Sequence, residues 1–261
     1  MNQPRSPVAQ AYDALADHYD LLTTGYDHER WWRALEALLR RHGLRGDRVL
    51  DAACGTGRSL EPLLGRGYEA VGCDVSAGML GRARTRLGPE VPLHVADLRS
   101  LPDLGRFDLI TVLDDAMNYL LGEDDLRAAL ASLARLLAPG GLLVFDTNTL
   151  ATYRGAFSSA QVAADEDTLL CWRGHGISHD DDATYAAVTV EAFTRVDGEL
   201  WRRRPSHHRQ RHWSTDELEA ALAAAGLELR EHVGQRTGAV LGGSPDELTH
   251  TKVVHVAARP S

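Results

Sequence analysis

Lysine is all but missing from this sequence: Lys252 is the only one in 261 residues. That removes the Tyr-Lys pair expected of a nicotinamide oxidoreductase. Cysteine is scarce as well. Cys54, Cys73 and Cys171 form an odd set without a Cys-x-x-Cys pair, so neither a disulfide framework nor a thiolate zinc site is expected, and a reducing cytoplasm fits best. Long apolar runs are absent. Nothing approaches the roughly 18 charge-free residues of a membrane span, and the first residues lack the apolar stretch of a signal peptide. Positive charge is in deficit, with 28 Lys and Arg against 37 Asp and Glu for a net charge of −9, which disfavours a nucleic-acid partner. His175 and His179 lack the spacing and the third ligand of a metal site, so none is expected. A small molecule is the expected partner, with a homodimer left open.

What is present is enough for a core, since 44% of the residues are hydrophobic. From Arg48 to Asn148, short apolar runs alternate with amphipathic segments, the rhythm of a doubly wound α/β fold with a mostly parallel, seven-stranded sheet. RVLDAA, YEAVGCD, VPLHVAD, FDLITVLD and GLLVFDTN read as its strands. Helices are expected over Arg58 to Leu64, Ser76 to Leu87 with Ser76 as N-cap, and Asp124 to Leu137. Residues 1–47 read as an N-terminal helical lid, and 48–150 as the ligand-binding core. Residues 151–213 read as an inserted antiparallel β cap folded at Asp197-Gly198, and 214–261 as a helix opened by the capping box Ser214 to Glu217 plus two closing strands.

The most specific stretch is VLDAACGTG, Val49 to Gly57, in which a buried strand passes into a glycine turn that opens a helix. A residue without Cβ lets the backbone approach a ligand, and helix-start amides favour a carboxylate or phosphate. The dinucleotide pattern Gly-x-Gly-x-x-Gly is broken, because Leu60 stands where the third glycine belongs. Asp74 ends the second strand, where an acidic side chain takes ribose hydroxyls in nucleotide and adenosylmethionine sites alike.

With these motifs in order, the chain resembles the class I S-adenosylmethionine-dependent methyltransferases over Val49 to Asn148. VLDAACGTG, VGCDVS, VADLRSLP, FDLITVLDDAMNYL and LLAPGGLLVFDTN match their successive motifs. The resemblance implies that S-adenosylmethionine is the cofactor and S-adenosylhomocysteine the product. It implies that Gly55 and Gly57 approach the methionine part and that Asp74 binds ribose. Asp97 and the Leu98 amide then read the adenine edge, while Leu113 and Asp114 line the cofactor. Asp51, Ala53, Cys54, Val75 and Met79 complete that shell. The flanks resemble a subgroup acting on natural-product amines through Tyr19-Asp20, Asn118-Tyr119-Leu120 and the late β insert. The base-modifying amino methyltransferases carry a Pro-Pro-aromatic sequence where this chain has Asp114-Asp115-Ala116, which argues again against nucleic acid.

Aromatic residues crowd the first part of the chain, and each could pack a core or close a lid over a sulfonium or amine, a contact worth about 0.5–2 kcal/mol. Tyr19, Tyr26 and Trp32 are assigned to the cofactor, and Tyr12, Asn118, Tyr119 and His212 to the substrate. Asp115 is the candidate carboxylate for an amine, and His208 the candidate base in a cluster whose alternation puts His208 and His212 on one face. The expected reaction is methylation of an amine nitrogen. O- or C-methylation, or a non-catalytic adenosylmethionine-binding regulator, are the alternatives.

Overall fold

Ser6 accepts a hydrogen bond from the Ala9 amide and so caps the first helix, α1 (Pro7–Leu15), which carries proline at its start where no amide hydrogen is needed. The computed structural model describes residues 6–180 and 182–261. A short α2 (Tyr19–Leu22) follows, then α3 (His28–Arg41), capped by Asp27. α3 buries Trp31, Trp32, Leu35, Leu38 and Leu39 on one face, as their spacing requires. It therefore packs into the core, with His28, Arg30 and Trp31 of its first turn reaching the site that α1 and α2 cover.

The five apolar runs become β1 (Arg48–Ala52), β2 (Glu69–Asp74), β3 (Leu93–Val95), β4 (Phe107–Val112) and β5 (Leu137–Asn148). Between them lie α4 (Leu60–Leu64), α5 (Ala77–Leu87) and α6 (Glu123–Leu136). The Ser76 hydroxyl accepts from the Met79 amide, the cap expected for α5. All pairings among β1 to β5 are parallel. Both faces of β1, β2, β4 and β5 are covered, so their inner positions are mostly apolar, while β3 is an exposed edge. Leu50, Ile110 and Phe145 pack toward α6 on one side, and Val49, Leu109 and Val144 toward α3 on the other. Each such side chain contributes about 1.5–3 kcal/mol by leaving water.

After α7 (Leu150–Gly155) the chain leaves this sheet to build a second one from β6 (Ala160–Ala164), β7 (Thr168–Asp180), β8 (Ala183–Asp197) and β9 (Leu200–Arg211). The four are antiparallel in chain order. Gly198 takes the positive φ, 52°, that the hairpin turn between β8 and β9 demands. On β8, Ala186, Val188, Val190 and Ala192 alternate inward and meet Leu15 of α1, Tyr153 and Phe157 in a separate small core. The cap is thus joined to the lid by apolar contact.

The capping box at Ser214 and Glu217 opens α8 (Thr215–Ala224) with both reciprocal bonds present. β10 (Glu228–Arg236), β11 (Val240–Leu241) and β12 (Lys252–Ala258) then return to the main sheet. Its order is β11-β10-β12-β5-β4-β1-β2-β3, eight strands among the described residues against the seven expected. The extra one, β11, is a two-residue edge strand close to Gly238, Gly242 and Gly243, too short to leave a periodic signal. No helix among the described residues is long and apolar enough to cross a membrane.

Candidate active site

The strand order reverses between β1 and β4, and in such sheets a crevice opens beyond the carboxyl ends of the strands. There β1 passes into a turn of positive φ at Ala53 (66°), Gly55 (54°) and Gly57 (81°). The Gly55 amide donates to one Asp74 carboxylate oxygen at 2.9 Å, and the Ser76 amide to the other at 2.8 Å. Burial pushes the Asp74 pKa up to about 6, against the pull of those amides. A cavity of about 270 Å³ opens above, walled by Asp74, Val75, Met79, Leu98 and Leu113 and reaching Asp97 and Asp114.

α1 and α2 lie over this cavity and are latched at three places. Asp13 accepts from the Ser76 hydroxyl at 2.6 Å and the Gly78 amide at 2.9 Å. Asp20 accepts from the Thr56 hydroxyl at 2.7 Å and pairs with Arg86. Arg58 reaches back to the carbonyls of Thr23 and Tyr26, at 2.8 and 3.0 Å. Each latch joins the lid to a glycine turn or a helix start beneath it.

Beyond β4, Asp114 and Asp115 both stand in the left-handed region, φ 56° and 57°. That conformation costs an L-residue roughly 1–2 kcal/mol. It points two successive amides at one acceptor, the Asp146 carboxylate on β5, at 2.9 and 2.6 Å. Lys252 closes the cluster, its Nζ 3.1 Å from Asp115, 3.1 Å from Asp146 and 3.4 Å from Asp114. Burial works to neutralise this lysine, but the carboxylates win and hold its pKa above the usual range. For Asp114 burial raises the pKa, and Lys252 with His28 outweighs it, so Asp114 sits below the usual carboxylate range. Burial pushes Asp115 and Asp146 upward.

A second cavity, about 610 Å³, lies between the lid, the cap and this cluster. Tyr12, Tyr19, Thr23, Asp114 and Tyr119 line both cavities and form the wall between them. Behind that wall, the Ser206 hydroxyl donates to the Ala11 carbonyl at 2.8 Å and so accepts from His208 Nε2 at 2.6 Å. With its proton on Nε2, His208 accepts at Nδ1 from the Tyr119 hydroxyl, 3.0 Å away. Burial, with His207 nearby, pushes the His208 pKa down to about 4. It is neutral at pH 7 and a weak base.

The family model described as "Methyltransferase domain" matches residues 49–141, the stretch that forms the glycine turn, Asp74 and the end of β4. The dTDP-3-amino-3,6-dideoxy-alpha-D-glucopyranose N,N-dimethyltransferase of Streptomyces fradiae is 30% identical over 89% of this chain and 91% of its own length. The chain belongs to the class I S-adenosylmethionine-dependent methyltransferases. A second relative, the dTDP-3-amino-3,4,6-trideoxy-alpha-D-glucopyranose N,N-dimethyltransferase of Streptomyces venezuelae, is 31% identical over 85% of this chain and 94% of its own. In fold, the methyltransferase is similar to a solved S-adenosylmethionine-dependent methyltransferase from Clostridium acetobutylicum ATCC 824, with a TM-score of 0.78, 24% identity and coverage of 96% and 99% of the two chains.

The methyltransferase brings Tyr19, Ala53, Cys54, Gly55, Asp74, Val75, Met79, Asp97, Leu98, Leu113 and Asp114 to the first cavity, and Tyr12, Asp115, Tyr119 and His208 to the second. Other candidates lie elsewhere. Gly57 faces α5, where a Cβ would come within 2.8 Å of Leu87 Cδ1, so its lack of a side chain serves packing. Asp51 is buried under the turn and accepts from Ser59 and Thr111 hydroxyls. Trp32 is a core residue whose indole donates to the Ser59 carbonyl at 2.9 Å. Tyr26 lines the second cavity rather than the first. Asn118 is buried and braces the cap, donating to the Arg211 carbonyl and accepting from the Asn148 amide. His212 pairs with Glu247 outside both cavities, because β9 ends at Arg211 and the alternation that aligned it with His208 stops there. Lys252, Asp146 and Gln210, which donates to Asp115, are site residues that sequence reasoning missed. Gln210 carried the one available signal, since it shares the β9 face of His208.

Proposed function

We propose that this methyltransferase transfers a methyl group from S-adenosylmethionine to an amine nitrogen of a small metabolite. The observation that carries the reading is the shared wall, which puts Asp114 and the Tyr12, Tyr19 and Tyr119 phenols between a cofactor cavity and an acceptor cavity. The donor set supports the cofactor. The Asp74 oxygens take backbone bonds from Gly55 and Ser76 and keep lone-pair capacity for ribose hydroxyls, while Met79, Val75, Leu98 and Leu113 offer apolar surface to a purine. Gly55 would let the methionine part approach, and Asp97 would stand at the adenine end. When bound, the cofactor supplies an activated methyl group on a cationic sulfur.

The chain's own residues then have three tasks. Asp115, held by Gln210 and Lys252, accepts an N–H of the amine and turns its lone pair toward the wall. His208 accepts the Tyr119 hydrogen and so fixes the phenol in the wall, which makes His208 a positioning residue. α1 and α2 exclude water. Such alignment supplies up to about 7–11 kcal/mol. A neutral amine needs no strong base, because it can keep its protons and leave as an ammonium. Positive charge appears on the nitrogen as the bond forms, and Asp114 and Asp115 favour it there. A hydroxyl acceptor would call for a stronger base than a histidine of pKa about 4, which favours nitrogen.

Incubation with methyl-labelled adenosylmethionine and a panel of small amines should place label on nitrogen. Binding of the cofactor without any labelled product would overturn the reading in favour of a regulator.

A further inference from the structure

The second cavity has walls suited to one kind of amine. Trp31 and Trp172 line it with their indole N–H groups already spent, on Gln235 Oε1 at 2.9 Å and the Ala156 carbonyl at 2.8 Å. They offer the occupant only carbon. Phe157 and Tyr12 extend this surface.

Positive charge is poorly represented there. Arg30 and Lys252 are the permanent cations of the lining among the described residues, facing Asp27, Asp114 and Asp115. Lys252 is fully engaged by three carboxylates, and Arg30 sits exposed at the rim. Helix starts could replace side chains as anion sites, but at α3 and α7 a carboxylate of the chain already takes an amide. The Asp27 carboxylate takes the Arg30 amide at the start of α3, and Glu247 takes the Leu150 amide at the start of α7. A pyrophosphate would enter among carboxylates with one exposed arginine to meet it, and like charges brought together in a desolvated site repel strongly. A cation over aromatic faces is favoured by the same arrangement.

We infer that the acceptor is a phosphate-free amine on an aromatic or otherwise carbon-rich body, and not a sugar carried on a nucleoside diphosphate. This rests on the amine reading of the same site and narrows it. It also separates the chain from the two N,N-dimethyltransferases above, whose names specify dTDP-linked sugars.

The test is calorimetry on the full chain saturated with S-adenosylhomocysteine, followed by methyl transfer from labelled adenosylmethionine. The probes are dTDP-3-amino-3,6-dideoxyglucose, the phosphate-free methyl glycoside of the same amino sugar, phenethylamine and dTDP alone. At least one phosphate-free amine should bind ten or more times as tightly as the dTDP sugar, and dTDP should not compete with it. Tighter binding of the dTDP sugar, competition by dTDP, or binding of neither phosphate-free amine would overturn the inference. Faster methylation of the dTDP sugar would sink this inference and leave amine methylation standing. Tight amine binding with no label on nitrogen would do the reverse.

Discussion

The Asp146 carboxylate accepts the Asp115 amide at 2.6 Å, and this bond holds the left-handed turn that presents the Asp115 side chain to the second cavity. An acid on β5 therefore sets the direction of an acid in the turn after β4. Lys252, 3.1 Å from both, keeps the carboxylates together.

Lys252→Met should remove the cation and leave three carboxylates facing one another. Breaking a buried charge cluster by deleting one partner costs about 3–5 kcal/mol. Urea denaturation should show a loss of that order at pH 7, shrinking as pH falls and the acids take up protons.

Asp74→Ala should weaken cofactor binding more than tenfold in calorimetry, about 1.4 kcal/mol or more. In the proposed ribose role Asp74 would accept hydroxyls best when ionised, and burial sets its pKa near 6. Cofactor affinity should therefore drop as pH falls through about 6, and a flat profile would argue against the ribose assignment.

Asp20→Asn and Arg58→Met should each loosen the lid, because they release α2 and the loop after it from the glycine turn. Stopped-flow measurement should find cofactor dissociation several times faster. A change confined to thermal stability would show that these bonds do not gate the cavity.

His208→Asn provides a pH test with a definite sign. The folded chain keeps His208 neutral down to about pH 4, whereas in the unfolded chain it protonates near its ordinary 6.5. Below 6.5 the unfolded state holds the extra proton, so this residue lowers stability as the solution is acidified, by about 1.4 kcal/mol per pH unit. The variant lacks that loss. Its stability should gain on the wild type between pH 6.5 and 4, while its kcat falls and its KM for adenosylmethionine is unchanged.

Features written in adjacent residues are legible in the sequence. The Ser76 cap, the Asp197-Gly198 turn and the Ser214 to Glu217 capping box depend on neighbours a few positions apart, and each forms as its residue types require. The glycine turn was legible too, but its parts were not: Gly55 serves the cavity and Gly57 serves α5, and both read simply as glycine. Lys252 and Asp146 are separated by 106 positions and meet only because β12 pairs with β5. Nothing in either residue's neighbours announces that pairing. His212 shows the opposite limit, where a local alternation was extended one residue past the strand that produced it.

With its single amine-bearing side chain buried in the wall of the second cavity, this enzyme carries a natural reporter of its own opening. Reductive methylation or acylation of Lys252 requires the lid, the cap and the carboxylates to part. The rate at which an amine-directed reagent marks that one residue would time the enzyme's breathing without any engineered label.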